Sequence, residues 1–348
     1  MSKNIIYLST LLISIIGTLL SNNWLWIWFC IELNSLALIP LLSSNITPRS
    51  LESTNKYFLF QATGSALLLL GILLRMFFSG SLLLQGDYNW LEHTVIIAAL
   101  CVKIGLFPTH FWYVEVMQGI PFWGGFLVTV PSKIIPVYLI LLISINSSFL
   151  FMIILSILSI FIGSLFGIHQ LQLRKLLALS SVAQLGWIIL IFPNISNLFG
   201  VMLFSAYIIM ITPLFWIGNL YCLEHIFKTN NMSNNIGLSN VFLISILSLA
   251  GFPPLLGFFY KFMIFFILLN VYSIIIVGLL IGASLLALYF YFQICFGFCY
   301  LLWPLTKTIF SNSFFTINSS LPFWTMIITN TFIIYSLWIV NPFLSALL

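Results

Sequence analysis

Four charged residues stand inside long apolar runs. Glu32 lies mid-way along 24–43, and Lys103 falls in Val102-Lys103-Ile104. Lys133 follows Pro131-Ser132, and Lys261 follows Phe258-Phe259-Tyr260. A charge at the middle of a membrane helix costs about 2.5–3.5 kcal/mol by insertion scales, so such residues face the protein interior, pair, or meet water. Their chemistry suits proton handling. Burial disfavours the charged form of an amine and a neighbouring carboxylate restores it. A lysine balanced between the two loads and releases a proton when its partner moves. Static buried ion pairs are the structural alternative. Three lysines facing one glutamate cannot all be paired that way.

Other polar groups stand near these four. His110 follows Pro108, and Glu115 comes one and a half turns later. Both are candidate relays, although a hydrogen-bonded structural histidine fits His110 equally well. Ser132 adjoins Lys133, and Ser180, Ser181 and Gln184 share one later run. They can carry a water chain across apolar gaps, or tie helices together at about 0.6 kcal/mol each. His169, near Arg174 and Lys175, reads as interfacial, and His93 and His225 read as loop residues. The cysteines, Cys30, Cys101, Cys222, Cys295 and Cys299, form no C-x-x-C pair. No disulfide framework or iron–sulfur site is suggested. There is no metal-ligand spacing, no G-x-G-x-x-G and no P-loop, so no metal, nicotinamide, flavin or nucleotide site is expected on this chain.

The elements that must position these groups follow from composition. Among 348 residues, 62% are hydrophobic and 5% charged, with a net charge of +5. The mean hydropathy is +1.19. So few charges cannot cover a soluble globule. A soluble enzyme, a disordered chain and a nucleic-acid binder are excluded. Runs such as Ile153–Phe166 and Ile274–Leu288 are apolar all round. A barrel strand would alternate, so the fold expected is an all-α polytopic membrane protein. Eleven spans are predicted, at 4–20, 24–43, 57–79, 91–118, 121–145, 149–170, 176–192, 197–221, 239–269, 273–302 and 322–344. The run after Lys3 ends in Ser21-Asn22-Asn23 with no small-residue cleavage site and reads as the first span. With that count, Lys3, Arg49, Lys56, Arg174, Lys175, Lys228 and Lys307 fall on the side of the N-terminus, and Arg75 alone on the other. The positive-inside rule then puts the N-terminus in the cytoplasm or matrix.

Two spans contain breaks. One is Gly105-Leu106-Phe107-Pro108 and the other Gly251-Phe252-Pro253-Pro254. Proline removes a backbone donor and clashes with the preceding turn, so the helix opens. Open backbone survives in hydrocarbon only when it is buried in protein or lines a wet cavity. The breaks are five spans apart, which implies two copies inserted in opposite senses, 1–148 and 149–302, followed by a loop and a last helix over 303–348. Broken helices at matching places in two halves point to a transporter's ion site. Gly163-x-x-x-Gly167 and Gly278-x-x-x-Gly282 are expected to let helices approach closely.

Four blocks carry a family resemblance: Phe29-Cys30-Ile31-Glu32-Leu33-Asn34, Lys103 to Trp112, Arg174 to Ser181, and Gly251 to Phe258. They resemble the antiporter-like subunits of respiratory complex I, NADH:ubiquinone oxidoreductase. Their order and the chain length are similar to the chain 2 branch in animal mitochondria. The resemblance implies a proton-translocating module of the membrane arm in the mitochondrial inner membrane, with its N-terminus in the matrix and its C-terminus in the intermembrane space. It implies Glu32 and Lys103 as a coupling pair, Lys133 as the central relay, and Lys261 toward the exit. No cofactor is implied on this chain; NADH, FMN, iron–sulfur clusters and ubiquinone belong to other subunits. The implied partners are a small three-helix subunit on the Glu32 side, antiporter-like subunit 4 on the other, supernumerary subunits and lipids, with no nucleic acid. Gln184 stands where relatives often carry histidine, Val114 where a proline follows the histidine block, and Pro131-Ser132 precede Lys133. A stand-alone cation/proton antiporter would be expected to place more carboxylates mid-membrane than Glu32. A purely structural subunit would keep its lysines inert.

Overall fold

The computed structural model describes residues 2–44, 47–84, 86, 88–144, 149–225, 236–253, 255–271 and 274–302. Pro254, the predicted span 322–344 and the rest of 303–348 lie outside the described residues. Regular structure among the described residues is helical, with two isolated bridges, Asn23 to Leu83 and Gln172 to His225. The helices are α1 Ser2–Leu20, α2 Trp24–Leu42, α3 Pro48–Ser79, α4 Trp90–Ile104, α5 His110–Gly119, α6 Phe122–Thr129 and α7 Pro131–Ile143. They continue with α8 Phe149–Gly167, α9 Leu173–Ile191, α10 Asn197–Tyr221, α11 Ile236–Ala250, α12 Leu256–Val271 and α13 Ile274–Leu302. Seven stretches among the described residues are long and apolar enough to cross a membrane: α2, α3, 122–143, α8, 173–194, α10 and 274–297. Asn4–Leu20, Gly237–Ala250 and Leu256–Leu269 are shorter apolar helices. The chain is a membrane protein.

α3 starts nine residues earlier than the predicted span at 57. Thr47 caps it: the Thr47 hydroxyl accepts from the Ser50 amide at 3.2 Å, and Ser50 Oγ accepts from the Thr47 amide at 3.0 Å. Pro48 occupies the first helical position, where its missing donor costs nothing. Arg49, Glu52, Asn55 and Lys56 make this turn polar, so hydropathy alone begins the span too late. The predicted span 121–145 is divided at Val130, between α6 and α7, one step before Pro131. His93 is a correction. It is buried in the first turn of α4, where its ring bonds the Ile143 carbonyl.

The chain forms two compact units, 1–163 with 177–200, and 164–176 with 201–348. In the first unit α3 packs along α4 through glycines. A Cβ on Gly64 would sit 2.8 Å from Lys103 Cγ, and one on Gly71 would sit 2.6 Å from Ile96 Cγ1. Small residues let backbones approach in a medium with little hydrophobic drive between helices. Gly163 does the same against Leu179 and Ala183 of α9. Arg75 is fully buried near the end of α3, its guanidinium 3.9 Å from the Tyr88 ring centroid. In the second unit Gly167 meets the Phe290 ring of α13. Gly278 and Gly282 have nothing within 4 Å among the described residues, so the packing role expected of that pair is not seen there.

Candidate functional site

Lys103 stands in the last turn of α4, where the helix must stop. Gly105 takes the left-handed conformation, φ +79°, which glycine adopts without steric cost. The Gly105 and Leu106 amides return to the Cys101 carbonyl at 3.0 and 3.1 Å, a Schellman-type ending. Carbonyls left over at a helix end need donors. Trp112 Nε1 donates to Val102 O at 3.1 Å, and Gln61 Nε2 to Lys103 O at 3.1 Å. The Lys103 amine in turn donates to the Gln61 carbonyl at 3.3 Å. The Phe107–Pro108 peptide in the break is cis.

Glu32 is half-buried on α2 and within electrostatic reach of Lys103. No direct ion pair joins the two among the described residues. Ser35 Oγ lies 2.9 Å from the Glu32 carbonyl and 3.4 Å from Glu32 Oε2. A small cavity separates this serine from the lysine, lined also by Asn34, Tyr57, Gln61 and Ser132.

Lys133 is buried in the first turn of α7, with 1% of its surface exposed. Its amine sits 3.7 Å from the centroid of the Tyr113 ring and donates to Ser181 Oγ at 3.3 Å. Ser181 Oγ is 2.8 Å from the Tyr113 hydroxyl, which closes a triangle across α5, α7 and α9. A ring face stabilises a desolvated cation by about 2 kcal/mol. Tyr113 is the functional candidate that sequence reading misses. In a chain this rich in aromatics only its place one turn after His110 marks it. Gly105 makes room for it, since a Cβ there would lie 2.8 Å from Tyr113 Cβ.

The other predicted relays divide. Ser180 Oγ donates to the Leu177 carbonyl within its own helix, so Ser181, not Ser180, meets the lysine. Ser132 Oγ donates to Val128 O and lines the cavity. Gln184 is buried one turn beyond Ser180. His110 opens α5, buried against the Phe107 and Phe111 rings at centroid distances of 6.3 and 3.9 Å. Glu115 is exposed and binds Lys56 at 2.8 Å, and Lys56 also holds Glu52 at 2.7 Å. That clasp ties α5 to α3 at the surface and does not reach the lysines named above.

Lys261 lies in the second unit. Its helix partner α11 ends as α4 does. Gly251 has φ +86°, and the Gly251 and Phe252 amides return to the Leu247 carbonyl at 3.2 and 3.1 Å. Pro253 is exposed in the break. The Lys261 amine donates to Ala250 O, the last carbonyl of α11, at 2.7 Å. A helix C-terminus carries the negative end of the dipole, so a cation is favoured there. Among the described residues no group of His, Cys, Asp and Glu is arranged to hold a metal ion.

Residues 21–287 match the family described as NADH:quinone oxidoreductase/Mrp antiporter, TM. The chain is 35% identical over 303 residues to NADH-ubiquinone oxidoreductase chain 2 of Pisaster ochraceus, covering 86% of this chain and 85% of the relative. It is 32% identical over 338 residues to the chain of the same name from Bos taurus, covering 94% of each. The chain belongs to the NADH-ubiquinone oxidoreductase chain 2 family. Its fold is shared with a chain in the structure titled respiratory complex I from Thermus thermophilus with bound Aureothin. That match has a TM-score of 0.76 at 22% identity and covers 85% of this chain and 70% of the other. Two of the three departures named above have simple settings here. Val114 lies inside α5, which runs unbroken to Gly119, and Gln184 offers a buried amide that cannot titrate.

Proposed function

We propose that this chain is an antiporter-like subunit of the membrane arm of complex I in the mitochondrial inner membrane. Protons pass along its buried lysines while NADH oxidation and ubiquinone reduction proceed on other subunits, which hold the FMN and iron–sulfur clusters. Glu32 and Lys103 form the coupling pair, Lys133 the central station and Lys261 the station toward the exit. The proposal includes eleven spans in two inverted five-helix repeats, with the N-terminus in the matrix. The neighbours are a three-helix subunit on the Glu32 side and antiporter-like subunit 4 on the other. Supernumerary subunits and lipids cover the rest.

The observation that carries this reading is the setting of Lys133. A fully buried ammonium built for stability would be matched by a carboxylate, because an unpaired buried charge is costly. This amine instead meets a ring face and one hydroxyl. A hydroxyl both donates and accepts. Ser181 can therefore accept a hydrogen bond from the Lys133 ammonium while donating its own to the Tyr113 oxygen, and it can turn its hydrogen toward the amine once that amine is neutral. The charge is held without being trapped.

The test is Lys133→Met in the assembled complex, measured as protons pumped per electron beside the NADH:quinone rate. Methionine keeps the length and removes the charge. Normal assembly with collapsed pumping or coupled turnover supports the reading. Wild-type values for both would make the lysine a scaffold residue and end the proposal.

A further inference from the structure

The cavity between Ser35 and Lys103 deepens this proton-path reading and rests on it. Its wall combines Asn34 and Ser35 from α2, Tyr57 and Gln61 from α3, Lys103 from α4, and Ser132 from α7. It has room for about one water molecule. Asn34 is buried and its Oδ1 accepts no hydrogen bond among the described residues. A buried amide oxygen left unbonded costs about 1–3 kcal/mol. The two serine hydroxyls are committed elsewhere: Ser132 donates to Val128 O, and Ser35 bonds Glu32. Each still has an oxygen that can accept a proton. Four helices thus converge on a small hole with Ile31, Ile135 and Pro136 on its apolar side and, on its polar side, one unmet acceptor and the Ser35, Ser132 and Tyr57 side chains, beside an amine and one serine away from a carboxylate.

We infer that one water molecule occupies this cavity, held by Asn34, and forms the missing link between the Glu32–Ser35 pair and Lys103. The water donates one hydrogen to Asn34 Oδ1 and the other to Ser35 Oγ, and accepts from the Lys103 ammonium. A proton leaves Lys103 for the water oxygen, one water proton passes to Ser35 Oγ, and the Ser35 proton passes to Glu32 Oε2. Lys103 ends neutral, Glu32 ends protonated, and water and serine are regenerated. Asn34 never titrates. It is a positioning residue that fixes where the water sits.

The experiment compares Asn34→Leu, Asn34→Ala and Asn34→Asp in the assembled complex, read as protons pumped per electron. Leucine puts methyl groups where the water sits. Alanine opens space that water can refill. Aspartate keeps an acceptor oxygen. The expected order of pumping is Asp, then Ala, then Leu, with Leu lowered about tenfold, the equivalent of one lost hydrogen bond of about 1.4 kcal/mol. A packing role gives the opposite order for Ala and Leu, because the larger hole is the more damaging one. Leu at the level of the unmodified complex, or Ala below Leu, overturns the inference. If Leu prevents assembly, the less bulky Asn34→Val takes its place and must pump less than Ala. Lys133→Met separates the two claims. If it abolishes pumping while all Asn34 variants pump normally, the water link fails and the proton path stands. If Lys133→Met itself pumps normally, the path fails.

Discussion

Gly251→Ala tests whether the Lys261 amine depends on the shape of the break beside it. The backbone there has φ +86°, where a side chain costs about 1–2 kcal/mol. An added Cβ would lie 3.0 Å from Lys261 Cδ and 3.2 Å from Nζ. Those contacts are tight, so the lysine must give by a few tenths of an ångström, and a shift away from the new Cβ weakens its bond to Ala250 O, now 2.7 Å away. A hydrogen bond from a charged group is worth about 1.5–3 kcal/mol; losing half of it is about 1 kcal/mol, roughly fivefold in the docked population. Gly80→Ala supplies the control. Its φ is +65°, and a Cβ there meets nothing within 4 Å, so it carries the backbone cost alone. The assay is proton uptake per NADH oxidised in membrane vesicles, with complex content measured on native gels. Both variants should assemble to similar extents, and Gly251→Ala should pump severalfold less per electron than Gly80→Ala. Gly105→Ala should instead lower assembly, because its Cβ would lie 2.8 Å from Tyr113 Cβ, an atom fixed to the α5 backbone that no rotamer change can move. Equal pumping by Gly251→Ala and Gly80→Ala would refute the reasoning.

Two further outcomes are expected. Ser181→Ala removes the hydroxyl on Lys133 and should lower pumping about tenfold, from the loss of about 1.5 kcal/mol at the amine. Ser180→Ala breaks only a bond to its own helix and should change little; similar losses in both would mean that the hydroxyls act through helix packing. Glu115→Gln opens the exposed clasp with Lys56, and assembly and pumping should stay at normal levels at physiological salt, where surface pairs are screened. A pumping defect in a fully assembled Glu115→Gln complex would return that carboxylate to the proton path.

The sequence alone determined the medium, the all-helical class and the breaks. Three lysines and a glutamate in apolar runs are legible because charge in hydrocarbon is rare and costly. Gly-Phe-Pro-Pro and Gly-Leu-Phe-Pro are legible because a fixed φ and a missing donor act locally. The polar first turns of α3 blurred its start, and the division at Val130 left no mark beyond Pro131. Which polar group meets which lysine was decided only by tertiary structure. Ser180 and Ser181 are neighbours in sequence, but successive residues on a helix point about 100° apart, and only Ser181 reaches the amine. Tyr113 and Lys133 are twenty residues apart and meet where glycine at 105 leaves room for Tyr113 beside the end of α4. Glu115 reads as a candidate relay by its place one and a half turns after His110, yet the turn of α5 carries it outward to Lys56. Local chemistry is written along the chain. The partners of a buried charge are not, because they come from helices brought together by close packing between small residues, and that packing is a property of surfaces rather than of any one segment.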